Sequence, residues 1–346
     1  MMVECRVLGV RDSAAWLALL EKIVAPDIHF TPGYAQIFSR EGEARLFVYQ
    51  RNGQLVLYPF ILRRVHSSPA GHPSQTYYDI TSPYGFGGPV YTAGTDKAII
   101  DDFYTCFKQY CRENQIITEF IRFHPLLQNH LLMQDHVDVQ RNSTVVYIDL
   151  SKNLDEIWSG YQRSCRKNVN KALREGVAVT IESSPRHITE FITVYNQTMD
   201  RNQADRFYYF SPGFFDRLHR GIKNHYLYAH AWLKGQIVST ELLVYNRHYI
   251  HSFLGGTLAE YFPYRPNNLL KHEVIKWAKG KGIRYFILGG GRSDEDGIFK
   301  FKKTFSGNLA GYYVGKKIHN HRAVAELTGS TGQVDTGPGF FPPYRR

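Results

Sequence analysis

The sequence predicts an α+β protein made of two similar domains. Three observations carry that expectation. The chain has 346 residues, enough for two hydrophobic cores of ordinary size. Apolar runs of period two alternate with stretches of helical period along its length. The two halves also repeat one order: helix, hairpin, a strand ending in glycine, helix, strand.

The first half opens with DSAAWLALLEKIV, Asp12 to Val24, a helical pattern with Ser13 as a candidate cap. Leu46 to Val65 reads as a hairpin, two apolar runs around Asn52-Gly53, the pair preferred in two-residue turns. Tyr77 to Tyr91 is rich in glycine and aromatic residues and reads as irregular. Ile99 to Asn114 has the period of an amphipathic helix, and the strand ITEFIRFHP follows.

A boundary is expected near Arg141 to Lys152, where the strand STVVYIDL ends at Ser151, a candidate cap for a helix beginning NLDEIW. A basic helix, Tyr161 to Glu175, comes next, then the strand VAVTIES and a helix from Arg186 to Asp200. Leu227 to Gly255 reads as an antiparallel meander whose hairpin at Lys234-Gly235 parallels the one at Asn52-Gly53. The helix Asn268 to Lys279 and the strand IRYFILGG complete the pattern. After His321, Gly, Pro, Ser and Thr dominate, which predicts a flexible tail. The expected division is a first domain over 1–144, a second over 145–320, and a tail over 321–346.

Composition narrows the class. Apolar residues make up 43% of the chain and aromatics 14%, which suits a globular protein and not a disordered one. Lys and Arg exceed Asp and Glu by 42 − 31 = 11. That excess points to an anionic partner: nucleic acid, a nucleotide-linked substrate or an anionic membrane surface. Cys5, Cys106, Cys111 and Cys165 form no C-x-x-C pair and fit free thiols in a reducing compartment. The charged N-terminal residues do not read as a signal peptide, and no apolar run reaches the ~18 residues of a membrane span. A cytoplasmic location is expected, with peripheral membrane contact left open.

The candidate site residues lie mainly in the second half. Gly255 and Gly256 end a strand, and Pro266 leads into a helix that Asn267 or Asn268 can cap, leaving backbone N–H groups for an anion. Gly289, Gly290 and Gly291 close the next strand and permit close ligand approach. In IFKFKKTF, read as an extended segment, Lys300 and Lys302 share one face while Phe299, Phe301 and Lys303 share the other. An edge strand with solvated lysines is the plainer alternative. On the basic helix, Arg163, Lys167, Lys171 and Arg174 form one stripe, which suits a phosphate backbone as well as a merely solvated face. In the first half, YDITSPYGFGGP offers backbone donors and rings to a sugar or base, or simply packs as a loop.

The order and spacing of these pieces resemble the Fem family (FemA, FemB, FemX) of aminoacyl transferases. The resemblance covers roughly residues 1–320 and is strongest from Val145 to Gly315. It implies two tandem GNAT-like domains, the acyl-CoA N-acyltransferase fold, with mixed central sheets flanked by helices. Phe301 and Lys302 stand at the family's Phe-Lys pair within an F-K-K-x-F pattern, where the lysine assists transfer from aminoacyl-tRNA. Tyr78, Asp79, Pro83, Tyr84, Gly85, Gly87, Gly88 and Pro89 match an element that lines the family's acceptor cleft. Arg201 resembles an arginine that grips precursor phosphates, with Arg206 a competing assignment. The long coiled-coil arm of FemA-type members is absent, so the compact FemX form is implied. A lysine expected in that form's acceptor pocket has no counterpart near Tyr34–Arg40.

The resemblance therefore implies amide formation from aminoacyl-tRNA onto an amine of a peptidoglycan precursor or related metabolite. The precursor is nucleotide- or lipid-linked. Lys302 and Phe301 are the expected catalytic residues, and no cofactor is expected beyond the co-substrate. Arg163, Lys167, Lys171, Arg174 and Lys303 are the expected tRNA contacts. The expected substrate contacts are Tyr78, Asp79, Tyr84, Gly87, Gly88, Arg201, Gly255, Gly256, Asn268, Gly289, Gly290 and Lys300. Two alternatives stay open: an acyl-CoA-dependent N-acyltransferase acting on an amino sugar or amino acid, and a non-catalytic module binding tRNA or anionic glycan. The R/Q-x-x-G-x-G/A signature for acyl-CoA is missing, as are a G-x-x-x-x-G-K-[ST] loop and a G-x-S-x-G elbow. His319 and His321 lack a third ligand in the sequence, so no metal site is expected.

Overall fold

The computed structural model describes residues 3–66, 75–291, 293–330, 334–337 and 339–345. The first strands and helices are β1 (Val3–Gly9), α1 (Ser13–Leu20), α2 (Pro32–Ile37), β2 (Gly42–Arg51), β3 (Gln54–Val65), β4 (Tyr77–Thr81), β5 (Val90–Tyr91), α3 (Lys97–Glu113) and β6 (Ile116–Arg122). The middle of the chain forms β7 (Asp138–Asp149), α4 (Leu154–Gly160), α5 (Arg163–Arg174), β8 (Ala178–Glu182), α6 (Ile188–Arg201) and α7 (Pro212–Gly221). The remainder forms β9 (Tyr226–Leu233), β10 (Gln236–Tyr245), β11 (Tyr249–Thr257), α8 (Pro266–Gly280), β12 (Tyr285–Gly289), α9 (Gly297–Lys303), β13 (Leu309–Ile318) and α10 (His321–Thr328).

The chain divides into two compact units. Unit 1 comprises residues 1–142 and 311–346, and unit 2 comprises residues 143–310. In unit 1 the strands run in the order β1-β2-β3-β4-β6-β13, with β5 paired to β3. All these pairs are antiparallel except β4 with β6. In unit 2 the order is β7-β12-β11-β10-β9-β8, antiparallel except β11 with β12. Each unit thus holds one parallel pair. A parallel pair needs a helical crossover, and α3 and α8 supply it. Both hairpins form as their turn residues dictate: Asn52 and Gly53 lie at φ 50° and 80°, Lys234 and Gly235 at 50° and 78°.

Each unit has its own core. In unit 2, Val169 and Ala172 of α5 pack with Leu270 and Val274 of α8, Phe286 of β12 and Phe299 of α9. In unit 1, Phe103 and Phe107 of α3 pack on Phe47, Tyr58 and Phe60 of the sheet. Beneath α3 the carboxylate of Glu119 is fully buried. It accepts from the hydroxyls of Tyr58 and Tyr104, both at 2.8 Å, and lies 3.0 Å from Nε2 of His319.

Several sequence expectations are corrected. Tyr77 to Tyr91 is not wholly irregular, because Tyr77–Thr81 is a strand held between β3 and β6. Ser13 is the first helical residue, after Asp12. Asn153, not Ser151, caps α4, accepting from the Glu156 amide in a reciprocal capping box. The IFKFKK block is helical: Asp296 caps α9 by accepting from the Phe299 amide at 2.7 Å. Alternating Phe and Lys suggested period two, but Phe301 and Phe305 also stand four apart and stack edge-to-face at 5.4 Å.

The expected tail also differs. Residues 321–328 form α10. Phe341 and Tyr344 are buried against Val65, Tyr77 and Val324 of unit 1. Residues 331–333, 338 and 346 of that segment lie outside the described residues.

Candidate active site

Unit 2 contains a cavity of about 480 Å³ whose walls come from α6, β10, β11, α8 and α9. Phe301 and Lys302 enter from α9, Arg201 from α6, and Gly255 and Gly256 from β11. These five were expected from the sequence, and one cavity collects them.

Lys302 donates to the carbonyl of Gly290 at 2.6 Å. Burial pulls its pKa down to about 7, helped by the neighbouring charge of Lys271 and opposed by Glu241 and Asp296. The approach is permitted by Gly289, whose φ of +79° favours glycine and where an added Cβ would lie 3.3 Å from the lysine Nζ. Gly256 has a different reason. A Cβ there would lie 2.7 Å from the carbonyl of Val194 and 2.5 Å from the Thr198 hydroxyl, so this glycine lets β11 lie against α6.

Arg201 donates to the Thr257 carbonyl at 3.0 Å, and its guanidinium lies 4.9 Å from the centre of the Phe262 ring. Arg206, its competitor, does not line the cavity.

Glu241 and Lys271 were missed by the sequence reading. Glu241 is 5% exposed and so is Lys271. Lys271 donates to one Glu241 oxygen, and to the Ser252 hydroxyl at 2.5 Å. The second Glu241 oxygen is buried without a hydrogen-bond partner among the described residues. Burial pushes the Lys271 pKa down, and Glu241 pushes it back up. A signal was present: Lys271 stands on the apolar stripe that continues through Val274, Ile275 and Ala278. A charge in such a stripe is buried only with a partner.

Other expected residues fall elsewhere. Neither Asn267 nor Asn268 caps α8. Arg265 takes the cap position at φ 59°, with no side-chain cap bond. Asn267 lines the cavity, while Asn268 is buried and points its amide at Cys165 Sγ, 3.7 Å away. Gly290 enters only through its carbonyl. Lys300 is exposed, 3.8 Å from Glu295. Lys303 is exposed with its ammonium 5.6 Å from the Phe299 ring centre. On α5 the stripe faces outward: Arg163, Lys167 and Arg174 are exposed and Lys171 half-buried. Cys165, Val169 and Ala172 face the core.

In unit 1, Tyr78 is half-buried on β4 against the α3 core. Asp79 is fully buried. It accepts from Arg63 at 2.7 Å, from Arg345 and from the Tyr344 hydroxyl. Two of those donors, Arg345 and Tyr344, come from the C-terminal segment. Tyr84 is half-buried, and its carbonyl accepts from the Tyr34 hydroxyl at 2.8 Å. The Gly87 amide donates to the Arg122 carbonyl at 2.6 Å. Gly88 is buried beside Asn129 and Phe123.

His319 Nε2 lies 3.0 Å from Glu119, and His321 Nδ1 lies 3.2 Å from the Val334 carbonyl. His187, just before α6, and His230 on β9 sit 3.2 and 3.3 Å from the carboxylate of Glu182 on β8. No helix among the described residues is long and apolar enough to cross a membrane.

Comparison with known proteins places this architecture. Residues 159–303 match the acetyltransferase (GNAT) domain family. No curated protein matches the chain by sequence. The structure of FemX is similar with a TM-score of 0.73 at 14% identity, covering 94% of this chain and 99% of that one. A tandem GNAT protein from the clavulanic acid biosynthesis pathway is similar with a TM-score of 0.55 at 10% identity, covering 92% and 99%. The C-terminal domain of a protein from Agrobacterium fabrum, named as a lysylphosphatidylglycerol synthetase, scores 0.54 at 14% identity, covering 94% and 98%. The chain has the fold of a tandem GNAT protein, and that fold is shared with FemX over nearly its whole length.

Proposed function

We propose that the protein is an acyltransferase that moves an aminoacyl group from aminoacyl-tRNA to an amine, forming an amide. The observation that carries this reading is the Lys302 amine, held against Gly290 in a cavity that also presents Arg201 and Phe301. An aminoacyl ester is already activated, so positioning and charge stabilisation supply most of the acceleration. The acceptor nitrogen attacks the ester carbonyl, a C–N bond forms, and the C–O bond to the ribose breaks. Protonated Lys302 stabilises the negative charge that develops on the carbonyl oxygen. The proton lost by the attacking amine leaves with the ribose oxygen. Phe301 packs beside the tRNA end. No covalent enzyme intermediate is required.

The acceptor in this reading is a peptidoglycan precursor, nucleotide- or lipid-linked, or a related amine-bearing metabolite. Arg201 is the candidate for its phosphates, and the α5 stripe with Lys303 for tRNA. A cytoplasmic location with peripheral membrane contact suits such partners. The similarity to a protein named for a lysyl-lipid product supports aminoacyl transfer over other acyl groups.

A second reading has its own support. The match of residues 159–303 to an acetyltransferase family favours an acyl-CoA donor on the same fold. The test supplies charged tRNAs, and separately acetyl-CoA, with a panel of amine acceptors and follows amide formation by mass spectrometry. Transfer from aminoacyl-tRNA supports the first reading. Transfer or tight binding of acetyl-CoA without tRNA reverses the order, and no transfer across the panel overturns both.

A further inference from the structure

Unit 2 brings three potential metal ligands together: Glu182 at the end of β8, His187 just before α6, and His230 on β9. Their ligand atoms all lie within 4.8 Å of one another. None of the three lines the Lys302 cavity. The short loop 183–186 joins the first two, and the His187 amide donates to the Glu182 carboxylate at 3.4 Å. His230 comes from the neighbouring strand with its side chain fully buried. Spread over three elements, these residues form no short motif in the sequence.

Their spacing is informative. Oε1 of Glu182 lies 3.4 Å from Nδ1 of His187 and 3.3 Å from Nε2 of His230, and Oε2 lies 3.2 Å from the same Nδ1. Other histidine–carboxylate contacts in this chain are shorter: 2.8 Å for His29 and His124 on Asp27, and 3.0 Å for His319 on Glu119. The Glu182 distances are long for a charge-assisted hydrogen bond. They match the ~3.3–3.5 Å between neighbouring ligand atoms of a tetrahedral zinc ion bound at ~2.0–2.2 Å.

The other ring nitrogen of His230 is held as a metal ligand's would be. Its Nδ1 lies 2.8 Å from the Thr240 hydroxyl, which has the Ala229 carbonyl to donate to at 3.3 Å. The hydroxyl oxygen can therefore accept from Nδ1–H, which turns the Nε2 lone pair towards Glu182. A lone pair facing a carboxylate calls for a cation between them. A partner on the far nitrogen is what fixes the tautomer of a ligating imidazole. The Glu182 and His187 side chains are 14% and 32% exposed, so solvent reaches the group from one side.

We propose that Glu182, His187 and His230 bind a zinc ion, with water as the fourth ligand. Two imidazoles and a carboxylate suit zinc and its first-row neighbours, whereas magnesium and calcium take oxygen ligands. The ion ties β8, the last strand of the unit 2 sheet, to β9 and to the start of α6. Arg201, at the far end of α6, lines the Lys302 cavity. The inference stands on side-chain geometry and does not depend on the acyl-transfer reading.

The test is calorimetric titration of the full chain, free of any histidine tag and stripped with a chelator, with zinc chloride at pH 7.5. One zinc ion is expected to bind this group with a Kd below ~10 μM. His187→Ala and Glu182→Gln should each remove that binding event. Thr240→Val should weaken it about tenfold, through the orientation of His230. His187 is partly exposed, so the metal-free alanine variant should unfold at nearly the parent's temperature. Zinc should raise the unfolding temperature of the parent and not that of His187→Ala. Absence of saturable zinc binding overturns the inference. Zinc binding and zinc stabilisation unchanged in both His187→Ala and Glu182→Gln overturn it equally, and leave the three side chains as a hydrogen-bonded cluster.

Discussion

Lys302 holds its amine 2.6 Å from the carbonyl oxygen of Gly290, a neutral acceptor that does little to keep it charged. Its pKa is drawn down to about 7. If the protonated amine stabilises the oxyanion, kcat/KM should fall as pH rises through about 7, because that parameter reports the free enzyme. Lys302→Arg should move this limb beyond the accessible range. Lys302→Ala should cut kcat substantially, since the charge it meets appears mainly in the transition state. Full kcat for Lys302→Ala at saturating substrate would remove it from the mechanism.

The same shift affects stability. The folded value is about 7, while a free lysine titrates near 10.4. Between those limits the unfolded chain binds more protons than the folded one, so stability rises with pH across that window. Below it both states are protonated and the burial cost is fully present. Lys302→Met should therefore unfold at higher urea than the parent at pH 6.5. The difference should shrink by pH 9.5. Equal offsets at the two pH values would contradict the shift.

Lys271 and Glu241 form a buried pair, and breaking one side strands the other. Lys271→Met should destabilise unit 2 by about 3–5 kcal/mol. The double variant Lys271→Met with Glu241→Leu should recover most of that loss. Urea unfolding of the single and double variants checks this, and additive losses would refute the pairing.

Gly256 is required by space. Gly256→Ala would place a methyl within 2.7 Å of the Val194 carbonyl, and backbone cannot move aside as a side chain can. A loss of about 1–3 kcal/mol is expected, read from thermal unfolding. Gly235→Ala is a poor control because its φ of 78° adds strain. Gly297→Ala, with nothing within 4 Å, is the better one.

If the α5 stripe contacts tRNA phosphates, log affinity should fall linearly with log salt. Arg163→Ala and Lys167→Ala should each reduce the slope by about 0.7–0.9 and leave kcat unchanged. Filter binding across a salt series measures it. An unaltered slope would return the stripe to a solvated face.

Much of this architecture was legible. The Asn52-Gly53 and Lys234-Gly235 turns fixed both hairpins, because few residue pairs accept positive φ together. The Phe-Lys block led to Lys302 although its period was misread. Glu241 and Lys271 were not read, because a pair formed between a strand and a helix leaves no short-range pattern. The C-terminal segment misled for a related reason. Its Gly and Pro content signals poor secondary structure, which is largely accurate, yet Phe341 and Tyr344 need only a groove to be buried. Asp79 was placed by its match to the family's acceptor element, and its donors Arg63 and Arg345 come from residues too far along the chain to be read beside it.

Unit 1 is closed by residues that follow all of unit 2 in the chain. On the ribosome, β6 emerges with one edge unpaired and waits for β13, about two hundred residues later. At roughly 5–20 residues per second, that wait is on the order of ten seconds or more. Unit 2 is continuous and can complete its core during this interval. The usual order, amino-terminal part first, is thereby reversed. The half-built sheet, with the β6 edge open, is the form of this protein with most need of a chaperone.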